Sequence, residues 1–528
     1  MQRDTAREAV RAASTLGGLL AWHAEARPGH VASIYEGRIT TYSQLDQFAN
    51  RFARAICESG IRPESCVAYI GRNTDIVFAT LTGCAKVGVA YLSINYRLTA
   101  LEIGDILNDA DPRLILAESS HVDKLVQAQH ACSRTAPIIC VDKPLGVHPD
   151  AISWCEGFSS ASLEVTSAPD DVVVILYTSG TTGSAKGVQL THRNLLDPIR
   201  ETPYDDMEFD VWCDSDVSLV AMPNFHISGM GWGVSGLRAG ACNIILPEFS
   251  PAGVLAALQQ YDISKLFIVP AALQSLLNDV PAENTAFNNL NYVAYGGSTM
   301  PLGVLGRAMS MMQCQFVQLY GMTETTGAAT YLPAADHSVQ GNRRMRSAGK
   351  ALPGVTLKVI GETNDDLAPE EIGEVCIKSP GNMCGYLNDD EATAATLIDG
   401  YIHTGDAGFL DADGYVYIVD RIKDIIISGG ENISPLEVEK ALERHPSVKE
   451  VAVVGLPDER WGEKVAAYVV IEPGESSDES TLIAFAREHI AGFKAPKAIR
   501  FVSELPRNAS GKVLKRILRD EGPNGLSG

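Results

Sequence analysis

Tyr177 to Val188 reads YTSGTTGSAKGV. The residues before it, Val172 to Leu176, are all β-branched or apolar and predict a buried strand. Small and hydroxylated residues follow: Ser179, Gly180, Thr181, Thr182, Gly183 and Ser184. Lys186 and Gly187 come next. A loop of this composition lets backbone N–H groups approach a phosphate closely, while hydroxyls and one ammonium add donors. It differs from the GTPase phosphate loop, which needs Gly, Lys and then Ser or Thr; here the order is Ala185, Lys186, Gly187.

The properties of the whole chain narrow the setting. Its 528 residues exceed what one core holds, so two or more domains are expected. A formal charge of −22 argues against nucleic acid and anionic membrane as main partners. The 11 cysteines are scattered, without a C-x-x-C pair, which suits reduced thiols in the cytoplasm. Neither a secretory signal nor a transmembrane segment is expected from the hydropathy pattern.

Around the Gly-rich stretch the chain alternates helix and strand. Thr41 to Ile56 reads as a helix capped by Thr41 and Gln44. Strands are expected over Cys66–Ile70, Val89–Ile94, Leu114–Ala117 and Ile138–Val141, with a helix over Thr74–Lys86. This rhythm implies parallel sheet covered by helices, an α/β fold. Met222 to Leu237, MPNFHISGMGWGVSGL, has the aromatic residues and glycines of an apolar pocket wall. His226 within it is open to two readings, a core histidine or a site residue. Tyr292–Tyr295 reads as a strand running into Gly296, Gly297 and Ser298, and Phe316–Leu319 as a strand delivering YGMTET, Tyr320 to Thr325. Ligands of open α/β sheets collect at such strand ends. From Gly373 a β-rich subdomain is expected, with YIHTGD (Tyr401–Asp406) between its strands. Ser434, Pro435 and Glu437 specify a helix start. A small α+β domain is expected over residues 423–528, after a larger one over 1–422. The tail is basic, and Lys512 follows Gly511, which implies a loop.

Taken in order, YTSGTTGSAKGV, YGMTET, YIHTGD, DRIKDIIISGGENISPLEVE and NASGKVLKR resemble the motifs of the adenylate-forming superfamily, which contains acyl-CoA synthetases, peptide-synthetase adenylation domains and firefly luciferase. The resemblance spans about Ala32 to Arg519; one departure is Ala185, where the family usually has Pro. It implies that a carboxylate attacks the α-phosphate of ATP, giving an acyl-adenylate and pyrophosphate. A thiol, usually that of coenzyme A, then displaces AMP. It further implies that Thr178, Ser179, Gly180, Thr181, Thr182 and Lys186 hold the β- and γ-phosphates, Glu324 holds Mg²⁺, and Thr323 bonds the α-phosphate. Tyr320, Gly321, Met322, Gly297 and Ser298 would flank adenine, and Asp406 and Arg421 the ribose. Lys512 would be the mobile catalytic cation, Lys423 the hinge of the small domain, and Gly429 and Gly430 the lining of the path for the pantetheine arm.

For the acid, the implied pocket residues are His226, Met230, Trp232, Tyr295, Gly296, Gly321, Met322 and Thr326. They include no carboxylate for an α-amino group and no cation for a second carboxylate. A fatty or other bulky apolar acid leads, with an aryl acid of cinnamate or benzoate type second and delivery to a carrier protein as a further alternative. A luciferase-like oxygenase would share every motif. A non-catalytic nucleotide binder would be expected to lack Lys512 or Glu324. The sequence leaves a homodimer open.

Overall fold

The computed structural model describes residues 5–179, 185–200, 212–280, 287–428, 431–458, 461–507 and 513–520. The chain packs as two compact units, Met1–Leu357 with Ile377–His403, and Lys358–Cys376 with Thr404–Gly528.

The first unit is built on two large sheets. One has seven strands in the order Gly385–Tyr386, Ala185–Thr191, Val172–Ser179, Ala90–Ile94, Cys66–Ile70, Leu114–Ala117, Ile138–Cys140. From Val172–Ser179 to Ile138–Cys140 the neighbours run parallel, as the β–α–β rhythm requires. The other has nine strands, with a parallel centre and antiparallel margins at Arg38–Thr41, Thr330–Leu332 and Lys350–Ala351. One core cluster joins Val67, Tyr69 and Val174 of the first sheet with Ala32, Val220 and Ile245 of the second. Helices Tyr42–Glu58 and Asp75–Lys86 contribute to the same core, and every residue of the latter is buried. The two helices cross closely at Gly83, where a Cβ would stand 2.9 Å from the Phe52 ring. Burial extends even to Lys86, whose ammonium is neutralised by Asp46 at 2.7 Å.

Local signals account for many boundaries. Thr41 and Gln44 form the full capping box of their helix. Ser434 accepts the Glu437 N–H as expected, but the Glu437 side chain does not close a box; it ion-pairs with Lys494 at 2.7 Å. Two expectations need correction. Tyr177–Ser179 continues strand Val172–Ser179, and Lys186 lies on the returning strand, so the phosphate motif is a hairpin. YIHTGD is the first half of the strand Tyr401–Leu410.

The second unit holds a five-stranded sheet, Glu431–Ile433, Ile426–Ser428, Gly462–Ile471 and Val448–Asp458 in order, with Ala498–Phe501 parallel on Gly462–Ile471. Strand Tyr401–Leu410 serves both units. Its start pairs with Leu397–Ile398 in the first, and its end with Val416–Arg421 in the second. The basic tail is spent on acidic neighbours within the second unit: Arg507 on Glu450, Lys515 on Glu439 and Arg519 on Asp424.

Two buried histidines make the first unit sensitive to acid. Burial, reinforced by Arg27, pushes His23 down to about 3, and burial pushes His192 down to about 4. His192 Nδ1 accepts the Leu16 N–H at 3.1 Å, which fixes it neutral. In the unfolded chain both titrate near the ordinary 6.5. The unfolded state therefore binds more protons as pH falls below 6.5, and stability drops, by on the order of 2 kcal/mol per site by pH 4.5. Calorimetry should show the melting temperature falling from pH 7 to 4.5, with proton uptake on unfolding. A flat profile over that window would contradict buried neutral histidines.

Candidate active site

The phosphate motif is set by strand pairing. Val172–Ser179 and Ala185–Thr191 form an antiparallel hairpin in which Thr178 lies opposite Lys186. Gly180, Thr181 and Thr182 lie outside the described residues, as does the side chain of Ser179. Gly187 is closely packed: a Cβ there would stand 3.0 Å from the Tyr177 ring, and the ring would have to give by a few tenths of an ångström. The hairpin then turns directly into helix His192–Arg200, where Thr191 and Asn194 cap each other reciprocally at 2.9 and 3.2 Å.

YGMTET sits at the end of strand Gln315–Tyr320. A Cβ on Gly321 would lie 1.8 Å from the Gly327 carbonyl oxygen, so the chain turns there only with glycine. A short 3₁₀ turn, Thr323–Thr325, carries Glu324. It is pinned by Thr325 Oγ1, which accepts the Met322 N–H at 3.0 Å. Glu324 is buried, and its Oε1 accepts the Tyr386 hydroxyl at 2.8 Å. Oε2 has no partner among the described residues. A buried carboxylate with one oxygen held and the other available fits a hard cation such as Mg²⁺. Thr323 and Tyr320 are half-buried beside it. Thr326 has φ +56 and donates its hydroxyl to the Gly381 carbonyl at 2.5 Å, so that hydroxyl is already committed.

The parallel neighbour, Tyr292–Gly296, brings Gly296 opposite Leu319. A Cβ there would stand 2.2 Å from the Leu319 carbonyl oxygen, so backbone packing alone demands glycine. Close approach is instead available at the next position. Gly297, at φ +86, and Ser298 are both exposed. Tyr295 is completely buried, with its hydroxyl 3.0 Å from His337 Nε2.

The Met222–Leu237 stretch is mostly helix, Ile227–Ala239. Three of its four glycines are packing positions: a Cβ on Gly229 would meet the Pro223 carbonyl oxygen at 2.2 Å, one on Gly233 the Phe78 ring at 2.0 Å, and one on Gly236 Asn243 Oδ1 at 2.1 Å. Met230 is completely buried in the main core. His226, Trp232 and Met322 remain partly exposed. Trp232 packs edge-on against Trp212 at 5.0 Å, and Phe225 meets the His226 ring at 4.7 Å. His226 Nε2 and Trp232 Nε1 are buried without a hydrogen-bond partner among the described residues. Burial, with Arg97 acting in the same direction, lowers the His226 pKa to about 4, so the imidazole is neutral at pH 7.

In the second unit, strand pairing sets Asp406 opposite Arg421. Arg421 Nε reaches Asp406 Oδ1 at 2.8 Å, and its Nη1 donates to the Thr404 carbonyl at 2.7 Å. The two residues expected at the ribose are therefore brought together. Lys423 lies in a 3₁₀ turn, Ile422–Asp424; its side chain is outside the described residues, as are Gly429, Gly430 and Lys512. Both flanks of this turn are fastened. Asp420 Oδ2 accepts from Ser434 Oγ at 3.1 Å and the Leu436 N–H at 3.0 Å, while Asp424 pairs with Arg519.

Sequence reading missed Tyr386. It lies on the two-residue strand Gly385–Tyr386, too short for any periodicity, and its partners are distant in sequence.

Two family models match the chain: AMP-binding enzyme over residues 20–387, and AMP-binding enzyme C-terminal domain over 437–512. A fatty acid–[acyl-carrier-protein] ligase of Streptomyces coeruleorubidus is 38% identical over 96% of both chains. An indoleacetate–CoA ligase of Aromatoleum aromaticum is 34% identical over 94% of this chain and 96% of its own. Among solved structures, o-succinylbenzoate CoA synthetase from Bacillus subtilis in complex with its acyl-adenylate intermediate superposes with a TM-score of 0.83 at 29% identity, covering 96% of this chain and 99% of that one. With the hairpin, the YGMTET turn and the Asp406–Arg421 pair in place, these matches make the chain a member of the adenylate-forming, AMP-binding enzyme family and an AMP-forming acid–thiol ligase.

Proposed function

We propose that this ligase activates a hydrophobic carboxylic acid, fatty or similarly bulky, and transfers it to coenzyme A. The observation that carries the reading is that the partly exposed side chains His226, Trp232 and Met322 are aromatic or apolar, and that His226 is neutral at pH 7. Side chains of this kind reward apolar burial of the acid. The carrier-protein alternative has a specific support, the 38% identity to a ligase named for an acyl-carrier protein. The aryl alternative is supported by relatives named as feruloyl-CoA synthases, 33% identical.

In this reading, Thr178, Lys186 and the Gly180–Thr182 backbone hold the β- and γ-phosphates. Asp406 and Arg421 hold the ribose, and Gly297 and Tyr320 flank the base. Glu324 would hold Mg²⁺, which when bound neutralises charge on the phosphates. Thr323 orients the α-phosphate, and Lys512 offsets the charge that builds as the carboxylate oxygen attacks phosphorus. The new O–P bond forms as the bond to pyrophosphate breaks. In the second step the thiolate sulfur attacks the acyl carbon and AMP leaves.

The test is a panel of acids assayed for AMP release with coenzyme A or with a phosphopantetheine-bearing carrier protein as acceptor. Medium- and long-chain acids with coenzyme A should give the highest kcat/KM, and a dicarboxylic acid such as succinylbenzoate the lowest. A dicarboxylate leading the panel would overturn the apolar pocket; acyl transfer to the carrier alone would overturn coenzyme A as acceptor.

Lys423 is proposed as the hinge between the two steps. Ile422 and Lys423 lie in a short 3₁₀ turn that can absorb a φ/ψ change, and the family resemblance puts the pivot at Lys423. Rotation there breaks the hold of Asp420 on Ser434 and Leu436. Lys423→Pro fixes φ and drives Ile422 out of its 3₁₀ conformation. The variant should keep acid-dependent pyrophosphate exchange within a few-fold and lose most thioester formation from added acyl-adenylate. Wild-type rates in the second half-reaction would place the pivot elsewhere.

A further inference from the structure

Residues 380–387 form a strap across the phosphate end of the candidate site. At one end, Asn194 Nδ2 donates to the Pro380 and Asn382 carbonyls at 3.1 and 2.7 Å. In the middle, the Met383 N–H donates to the Glu324 carbonyl at 2.8 Å. At the other end, Gly385 and Tyr386 pair with Gln189 and Val188, and the Leu387 N–H donates to the Gly187 carbonyl at 2.7 Å. The strap therefore binds the hairpin that carries Lys186 to the turn that carries Glu324. Tyr386 is the side chain at the junction. It is 7% exposed, its hydroxyl donates to Glu324 Oε1 at 2.8 Å, and its ring centre lies 5.0 Å from Lys186 Nζ.

We propose that Tyr386 is a positioning residue for metal-bound triphosphate: its hydroxyl occupies one oxygen of Glu324 and aims the other at the cation, and its ring face holds the Lys186 ammonium at the phosphate subsite before ATP arrives. The inference rests on the assignment of Glu324 and Lys186 to ATP. Three features support it. A carboxylate with one oxygen tied to a donor loses the freedom to rotate, so a cation meets an oriented ligand. An ammonium over an aromatic face is held weakly enough to be passed to a phosphate oxygen. The Tyr386 hydroxyl faces an acceptor-only carboxylate, so in this bond it donates. No other described side chain bonds the Glu324 carboxylate or lies over this ring as a cation.

The test uses equilibrium binding on the full chain, with turnover read separately. Free Mn²⁺ is followed by electron paramagnetic resonance in the presence of ATP, and metal-free ATP binding by calorimetry in EDTA. Tyr386→Phe keeps the ring and removes the hydroxyl. It should weaken Mn²⁺ binding by on the order of tenfold and leave metal-free ATP affinity unchanged. Tyr386→Leu removes the ring as well and should also weaken metal-free ATP binding several-fold. In a Glu324→Gln background, Tyr386→Phe should cause no further loss of Mn²⁺ affinity. Wild-type Mn²⁺ binding by Tyr386→Phe, alongside a clear loss in Glu324→Gln, overturns the role of Tyr386 alone. Unchanged binding in Glu324→Gln overturns the assignment of Glu324 to the metal. Equal loss of metal-bound and metal-free affinity in Tyr386→Phe, tracking a lowered melting temperature, shows a merely structural residue.

Discussion

A buried carboxylate with no cationic partner among the described residues is the constraint around which the ATP-facing end of this protein is arranged. Glu324 lies in a short turn at the end of a parallel strand, where water is largely excluded. Removing a carboxylate from water is expensive unless donors or cations replace the lost hydration. The fold supplies one donor, the Tyr386 hydroxyl, and leaves the second oxygen unpartnered among the described residues. The metal role proposed for Glu324 rests on this unpartnered oxygen. The strap at 380–387 is what delivers that donor. It also ties the hairpin to the turn through backbone hydrogen bonds at Met383 and Leu387.

Around this point the fold works as a frame. Parallel strands Tyr292–Gly296 and Gln315–Tyr320 run side by side, so their C-terminal ends open together. That places Gly297 and Ser298 beside the Tyr320–Thr325 turn. The tightness of the frame shows in its glycines. Those at 233, 296 and 321 are required by Phe78, Leu319 and Gly327, and ligand contact is not needed to explain them. Beneath them, a core shared by two sheets tolerates even a buried Lys86–Asp46 pair. A frame this closely packed transmits little motion.

Much of this could be read from the residues. The strand at Cys66–Ile70 and the capping box of Thr41 rest on local patterns of apolar period and side-chain chemistry, and the structure places both as expected. The motifs that carry the chemistry were legible because each is short and contiguous. What was not legible depends on partners far along the chain. Ser and Thr in the phosphate motif read as loop, yet cross-strand pairing extends the strand to Ser179. The packing demand on Gly296 was hidden because the carbonyl it must avoid belongs to Leu319 on another strand. Tyr386 carried no signal because its hydroxyl meets Glu324, its ring meets Lys186, and its strand is two residues long. Glu437 looked like the second half of a capping box, but Lys494 offers it a full charge.

Direct attack of the acid on the α-phosphorus of ATP is the step proposed for this site, and oxygen labelling tests it directly. The acid is supplied with both carboxylate oxygens as ¹⁸O, together with ATP, Mg²⁺ and the thiol, and the products are examined by mass spectrometry. If the carboxylate oxygen forms the bond to the α-phosphorus and thiol attack then breaks the carbon–oxygen bond, AMP gains one ¹⁸O, the thioester keeps the other, and pyrophosphate carries none. Label in pyrophosphate or inorganic phosphate, or unlabelled AMP alongside thioester, would contradict an acyl-adenylate and the roles assigned here to Thr323, Glu324 and Lys512.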